Sequence, residues 1–262
     1  MNRWCKKRHC VARLGSGMAF LGLLLTLNGC DRPGASSEAP LSSEIETREW
    51  RAPNCVAKDK CTTVSIKREV FADRPALNGA VEQQLREQLQ GNGESAAADS
   101  DDSIEQVAEA FIAEAGKVAG MSSAPWELIG DAKSLGRNGN LLTVAINTYM
   151  YSGGAHGMPV THWLNWDLAK ASQVVLADLI KPGADQKFWS LAQQQHEKWL
   201  DAQNADADFR ENWPFARTED FRLTDNGLVL LYGVYTLGPY AMGDVELTLP
   251  REKLADLLRE HY

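Results

Sequence analysis

Residues 24 to 30, Leu24-Leu25-Thr26-Leu27-Asn28-Gly29-Cys30, decide how much of this chain folds, and in which compartment. A basic stretch (Arg3, Lys6, Lys7, Arg8, Arg13) leads into an apolar run from Met18 to Leu27, the order of a bacterial export signal. The run is too short to span a bilayer, which takes about 20 apolar residues. The small Gly29 before Cys30 matches the place where a lipoprotein is acylated on cysteine and cut. The expected mature chain therefore starts at Cys30 and hangs from a membrane by lipid, its several acyl chains making a durable anchor. Its location is the periplasmic side of a bacterial envelope, on the inner or the outer membrane.

Removing residues 1–29 sorts the five cysteines. Cys5 and Cys10 leave with the signal, Cys30 takes lipid, and Cys55 and Cys61 remain. In an oxidising compartment such a pair reads as a disulfide. A zinc site lacks further ligands, because no second cysteine pair or His-x-x-x-His spacing follows. The charge also sharpens. The whole chain has 27 basic and 35 acidic residues, and the signal holds five of the basic ones, so the mature part stands at 22 against 35, or −13. Phosphate backbones demand a basic face, so nucleic acid is excluded as a partner.

Asp31 to Glu49 is polar, with Pro33, Pro40 and several serines, and is expected to be a flexible tether spanning about 25 Å. The folded body is expected from Trp50. Cys61 to Phe71 alternates as a strand does, and Leu77, Val81, Leu85 and Leu89 recur as on one helix face. Ser103 to Ala119 reads as a second helix. Trp126 to Leu135 and Leu141 to Ser152 flank Asn138-Gly139, a hairpin signal. A strand pair from Met158 to Val175, a helix from Ala184 to Gln203, a hairpin around Asp225-Asn226-Gly227 and a strand from Val245 to Leu249 follow. Pro250 suits the first turn of a closing helix with Leu254, Leu257 and Leu258 buried. Strands and helices cluster instead of alternating, which implies an α+β fold of mainly antiparallel sheets packed with helices, in two small subdomains.

Tyr151-Ser152-Gly153-Gly154-Ala155-His156-Gly157 is followed by Asn165-Trp166-Asp167-Leu168 and Leu176-Ala177-Asp178-Leu179-Ile180. Tyr235-Thr236-Leu237-Gly238-Pro239-Tyr240-Ala241-Met242-Gly243 and the strand to Pro250 complete the order. These segments in this order resemble the RsiV-like proteins, and the resemblance implies a PdaC-type N-terminal domain over 50–155 and an RsiV-like C-terminal domain of unknown function over 156–262, behind the signal (1–29) and the tether (30–49). The family's best understood member is a membrane-anchored anti-sigma factor whose outer part binds lysozyme. Control of a sigma factor needs a cytoplasmic segment, and cleavage at Cys30 is expected to leave none.

The chemistry-bearing candidates are few. In Tyr151, Gly153, Gly154 and His156, glycines bring backbone N–H groups close to a ligand and an imidazole exchanges protons near neutral pH. The same residues equally suit a tight turn with a locally bonded histidine. His156 and His162 with Asp167 lack a metal-ligand spacing, and His196-Glu197 has Leu200 where a zinc protease helix needs histidine. The deacetylase domain that accompanies the module in PdaC-type enzymes is not found, and neither a metal nor a cofactor is implied. Trp163, Trp166, Trp189, Trp199 and Trp213 with Tyr149, Tyr151, Tyr235 and Tyr240 fit either a core or a stacking surface. The expectation is a lipid-anchored binding or sensing protein for lysozyme or peptidoglycan fragments. A peptidoglycan hydrolase or deacetylase working from the glycine loop, and a purely structural lipoprotein, stay open.

Overall fold

A computed structural model describes residues 41–53, 55, 60–91, 102–118 and 124–260. Cys30 and the signal lie outside the described residues. The first sheet has six strands in sequence order: β1 (Ser43–Arg51), β2 (Thr63–Phe71), β3 (Glu127–Asn138), β4 (Leu141–Tyr151), β5 (Met158–Asp167) and β6 (Ser172–Gln173). All neighbours run antiparallel except β2 and β3, which are joined through α1 (Pro75–Leu89) and α2 (Ile104–Val118). A parallel pair requires such a crossover. A short helix α3 (Leu176–Leu179) leads to α4 (Asp185–Ala202) and α5 (Ala207–Asn212). The second sheet is an antiparallel meander of β7 (Phe221–Thr224), β8 (Gly227–Tyr232) and β9 (Val245–Pro250).

The layers follow from side-chain parity along the strands. On β4, Leu142, Val144 and Ile146 face α1 and α2, sharing a core with Leu77, Val81 and Leu85. The alternate Ala145 meets Trp163 of β5 and Val229 and Leu231 of β8. The other face of β8, through Leu228, Leu230 and Tyr232, packs on Phe188, Trp189 and Ala192 of α4. The order is therefore helices, six-stranded sheet, three-stranded sheet, helix. In the middle, β4 is covered on both sides, which explains why Leu141 to Ile146 are all buried.

A polar seam fixes the two sheets to each other. The Thr143 hydroxyl donates to Asn165 Oδ1 at 2.7 Å, and Asn165 Nδ2 donates to the Phe221 carbonyl at 2.7 Å. Asn165 is buried, so its hydrogen bonds are made inside the sandwich. A buried amide with both ends engaged selects one register, because any slip leaves polar groups unpaired.

Three expectations change. The tether stops short of Glu49, because β1 begins at Ser43 and pairs with β2 over nine residues. It reads as polar because it is an edge strand with charged side chains, among them Glu46, which binds Arg68 at 2.9 Å. The boundary at 155/156 falls inside the β4–β5 connection, since β5 and β6 complete the first sheet and the second core draws mainly on residues from Val174 onward. The closing helix is only a 3₁₀ turn at Arg251–Lys253, although Leu254, Leu257 and Leu258 are buried. There the chain turns to bridge Leu258 to Ile180.

Replacing Asn165 with alanine should remove roughly 2–4 kcal/mol of unfolding free energy, because it strands a buried hydroxyl and a buried carbonyl. Urea unfolding measures this. A loss under about 0.5 kcal/mol, within the range of an ordinary surface substitution, would deny the seam its role.

Candidate functional site

The glycine loop links β4 to β5 and meets the second sheet's connecting segment. Gly153 and Gly154 have φ of 99° and 100°, a region open to glycine and costly for other residues. Tyr151 donates its hydroxyl to the Gly154 carbonyl at 3.2 Å, holding the turn. Gly157 is required for a different reason: a Cβ there would lie 2.3 Å from the Tyr149 ring. Its carbonyl accepts the Tyr240 hydroxyl at 3.0 Å and pairs with His156 Nδ1 at 2.9 Å. The second contact places the neutral ring's proton on Nδ1 and leaves Nε2 as the acceptor. The His156 ring stacks on Tyr240 at 4.0 Å between centroids, and Tyr235 lies 5.8 Å beyond.

Tyr235 is 46% exposed and has a φ of 64°, which side-chain-bearing residues rarely adopt. Buried Leu237 anchors this segment in the second core. The two signatures of the sequence, Tyr151 to Gly157 and Tyr235 to Gly243, are thus one place in the fold.

Beside the loop lies an open groove of about 540 Å³ whose lining includes Trp126, Glu127, Tyr149, Tyr151 and His156. Thr63, Glu127 and Tyr151 form one cross-strand row over β2, β3 and β4. By parity this row and Tyr149 share the face that carries Ala145 toward the second sheet. The groove is therefore the part of that face beyond the second sheet's reach. Trp126 is fixed by its backbone, whose N–H donates to Thr62 Oγ1 and whose carbonyl accepts from the Thr63 N–H. Its ring lies 5.6 Å from that of Phe111 on α2. Cys61, adjacent to Thr62, is bridged to Cys55 with Cα atoms 5.6 Å apart, so the disulfide braces the groove floor. Half-buried tyrosine rings beside a carboxylate and an imidazole give the groove a chemistry suited to a ligand with apolar faces and polar edges.

The other candidates resolve into structural roles. His162 Nδ1 meets Asp220 Oδ2 at 2.8 Å, while Asp220 Oδ1 accepts the Trp163 N–H at 2.7 Å, tying β5 to the strand entering β7. The bond to Asp220 lifts the imidazole above its ordinary pKa against the effect of burial, and nearby Asp244 adds to the lift. Burial opposes the charge on Asp167, but the Lys170 and Ala169 N–H groups and the Lys170 ammonium hold its carboxyl below the usual range. Its motif is a capped turn: Asn165 joins the sheets and Trp166 sits in the core. His196 is buried beside Trp199 and Phe215, and burial lowers its pKa. Trp163, Trp166 and Trp189 are core, and Trp199 packs against it. No group of three or more His, Cys, Asp or Glu is placed to hold a metal among the described residues.

Missed from sequence were Trp126 and Glu127. Their signal was position, at the start of a strand opposite Tyr151, and it needs the register to be read.

Comparison with known proteins adds a lineage. A family described as deacetylase PdaC matches residues 55–159, and a protein family of unknown function, DUF3298, matches residues 177–252. The chain carries a PdaC-type domain followed by a DUF3298 domain. It is 30% identical over 129 residues to the peptidoglycan-N-acetylmuramic acid deacetylase PdaC of Bacillus subtilis, across 46% of this chain and 27% of that protein. Among solved structures, a DUF3298 family protein of Pseudomonas aeruginosa superposes with a TM-score of 0.71 at 28% identity, covering 85% of this chain and 96% of that one. A second, from Bacteroides fragilis, gives 0.62 at 22% identity over 84% and 94%, and shares the fold. The PdaC-type match ends within β5, so this domain and the DUF3298 domain both contribute to the sheet-to-sheet seam. No helix among the described residues is long and apolar enough to cross a membrane.

The His162 pair has a pH signature. A raised folded-state pKa stabilises the protein below the unfolded value near 6.5 and loses that contribution as pH rises through the folded value. His162→Gln should therefore cost about 1 kcal/mol at pH 5.5, discounted for partial exposure, and less at pH 8.5. Urea unfolding of both proteins at both pH values reads the difference. The opposite acid sensitivity of His196 cancels because both proteins retain it. A difference that grows with pH would contradict the pair.

Proposed function

We propose that this is a lipid-anchored, RsiV-like module of the cell envelope that binds a peptidoglycan-related ligand in the groove beside the glycine loop. The observation that carries the reading is the cluster of Tyr149, Tyr151 and His156 along an open groove, with Glu127 at its side and Trp126 in its wall. Sugar rings present apolar faces to such aromatics and hydroxyl or amide edges to carboxylate and imidazole. The PdaC relative acts on peptidoglycan by its name, which supports a cell-wall setting for the domain they share. Because the match spans 27% of that protein, its deacetylase activity is not carried over.

His156 acts here as a binding residue. Its Nδ1 is engaged by the Gly157 carbonyl and its face by Tyr240, so Nε2 is the nitrogen it presents to a ligand. The −13 charge of the mature chain favours a second reading in which the partner is a cationic lysozyme.

Calorimetry of the mature protein with a soluble disaccharide muropeptide decides between them. Tyr151→Ala and His156→Ala should each weaken muropeptide binding about tenfold or more, the size expected of central contacts. Binding to lysozyme alone, persisting from 0.1 M to 1 M salt, would transfer the groove to a protein partner. Binding to neither would overturn the proposal. Cys30→Ala should shift the protein from membrane to soluble or uncleaved fractions, and unchanged membrane retention would remove the anchor.

A further inference from the structure

We infer a second binding site, for a ligand bearing oxyanion groups, at the opposite end of the β3–β4 hairpin from the aromatic groove. The groove lies at Glu127 and Tyr151, and the hairpin turns at Asn138 and Leu141. At the strand rise the two ends are about 35 Å apart. Two adjoining cavities, each of about 200 Å³, meet at this end and share Asn138, Leu223 and Thr224 in their walls. Arg251 and Arg259 line one, and Arg137 and Arg222 line the other.

This concentration of guanidinium runs against the character of the chain, whose mature part carries −13. Asp225 and Glu260 also line the cavities, and Glu246 engages Arg222 at 3.1 Å, so four arginines face three acids. Arg222 is ion-paired with Glu246, and Arg251 and Arg259 are held by backbone carbonyls. Arg251 Nη1 donates to the Asp225 carbonyl at 3.5 Å and Arg259 Nε to the Ile180 carbonyl at 3.3 Å, long contacts that use one donor of five. Arg222 is positioned over the Trp163 ring at 5.1 Å, and its Nε is buried without a partner among the described residues. A guanidinium fork presents paired N–H groups that match carboxylate or phosphate oxygens.

The shape narrows the class. Two neighbouring cavities, each with two arginines, suit a ligand with two anionic groups better than one with a single charge. The two sources of that chemistry are a dicarboxylate, such as a peptide with acidic side chain and terminus, and a diphosphate. Because the site is remote from the groove, its fate is independent of the proposed function.

Amide-resolved NMR titration of the mature protein tests it with acetate, inorganic phosphate, glutarate and pyrophosphate as probes. Glutarate or pyrophosphate should shift the amides of Asn138, Thr224 and Arg251 at millimolar or lower concentration, and more tightly than its single-anion counterpart. Which of the two does so identifies the source. The Arg251→Gln/Arg259→Gln variant, altered only at exposed side chains, should weaken that binding at least fivefold and leave the amides around Trp126 and Tyr151 unmoved. The Arg137→Gln/Arg222→Gln variant should abolish the advantage of the double anion. No shift with any probe, or shifts that both variants retain, would overturn the site.

Discussion

Burial of β4 and β5 between two layers is the constraint on which the rest of the structure depends. Their helix-facing side chains close one core and their opposite faces meet the second sheet, so neither half of the chain has a complete interior alone. Apolar contact is non-directional and would tolerate sliding of one sheet on the other. The directional bonds of Asn165 and Asp220 remove that freedom, because each engages both sheets, Asn165 through buried groups and Asp220 through partly buried ones. Their position at the sheet-to-sheet contact makes the PdaC-type and DUF3298 domains one packed unit.

That register is what builds the candidate site. The segment between β8 and β9 is carried by the second sheet, and the glycine loop by the first. Tyr240 can stack on His156 and bond the Gly157 carbonyl only if the sheets are set at a fixed offset. The second sheet stops short of the end of β3 and β4, leaving Glu127 exposed and Tyr149 and Tyr151 half-buried along a groove. The groove is a consequence of unequal sheet sizes, with the disulfide and Trp126 finishing the open end.

Much of the fold was legible because local rules agree with the final packing. The leucines of α1 marked their helix, and Asn138-Gly139 and Asp225-Asn226-Gly227 marked their hairpins, with the first turn falling on Gly139 and Asn140. The strand β1 was missed because an edge strand with one wet face has the composition of a linker. The continuous run Leu141 to Ile146 held the clue to two-sided burial, but an apolar run does not say what covers each face. Tyr151 and His156 were legible as a loop. Their union with Tyr240, and the place of Trp126 and Glu127 beside them, were not, since a contact across 83 residues between Gly157 and Tyr240 leaves no local trace. The charge total likewise hid the arginine cluster, because a sum carries no geometry.

Native-state hydrogen exchange tests the seam most directly. If the two sheets form one cooperative unit, the slowest amides of β4, β5, β8 and β9 should exchange through a single global opening, with the same free energy and the same dependence on denaturant. Exchange of β8, β9 and α4 through a separate, lower-energy opening while β4 and β5 stay protected would contradict it, and would make the two halves independent domains that merely touch.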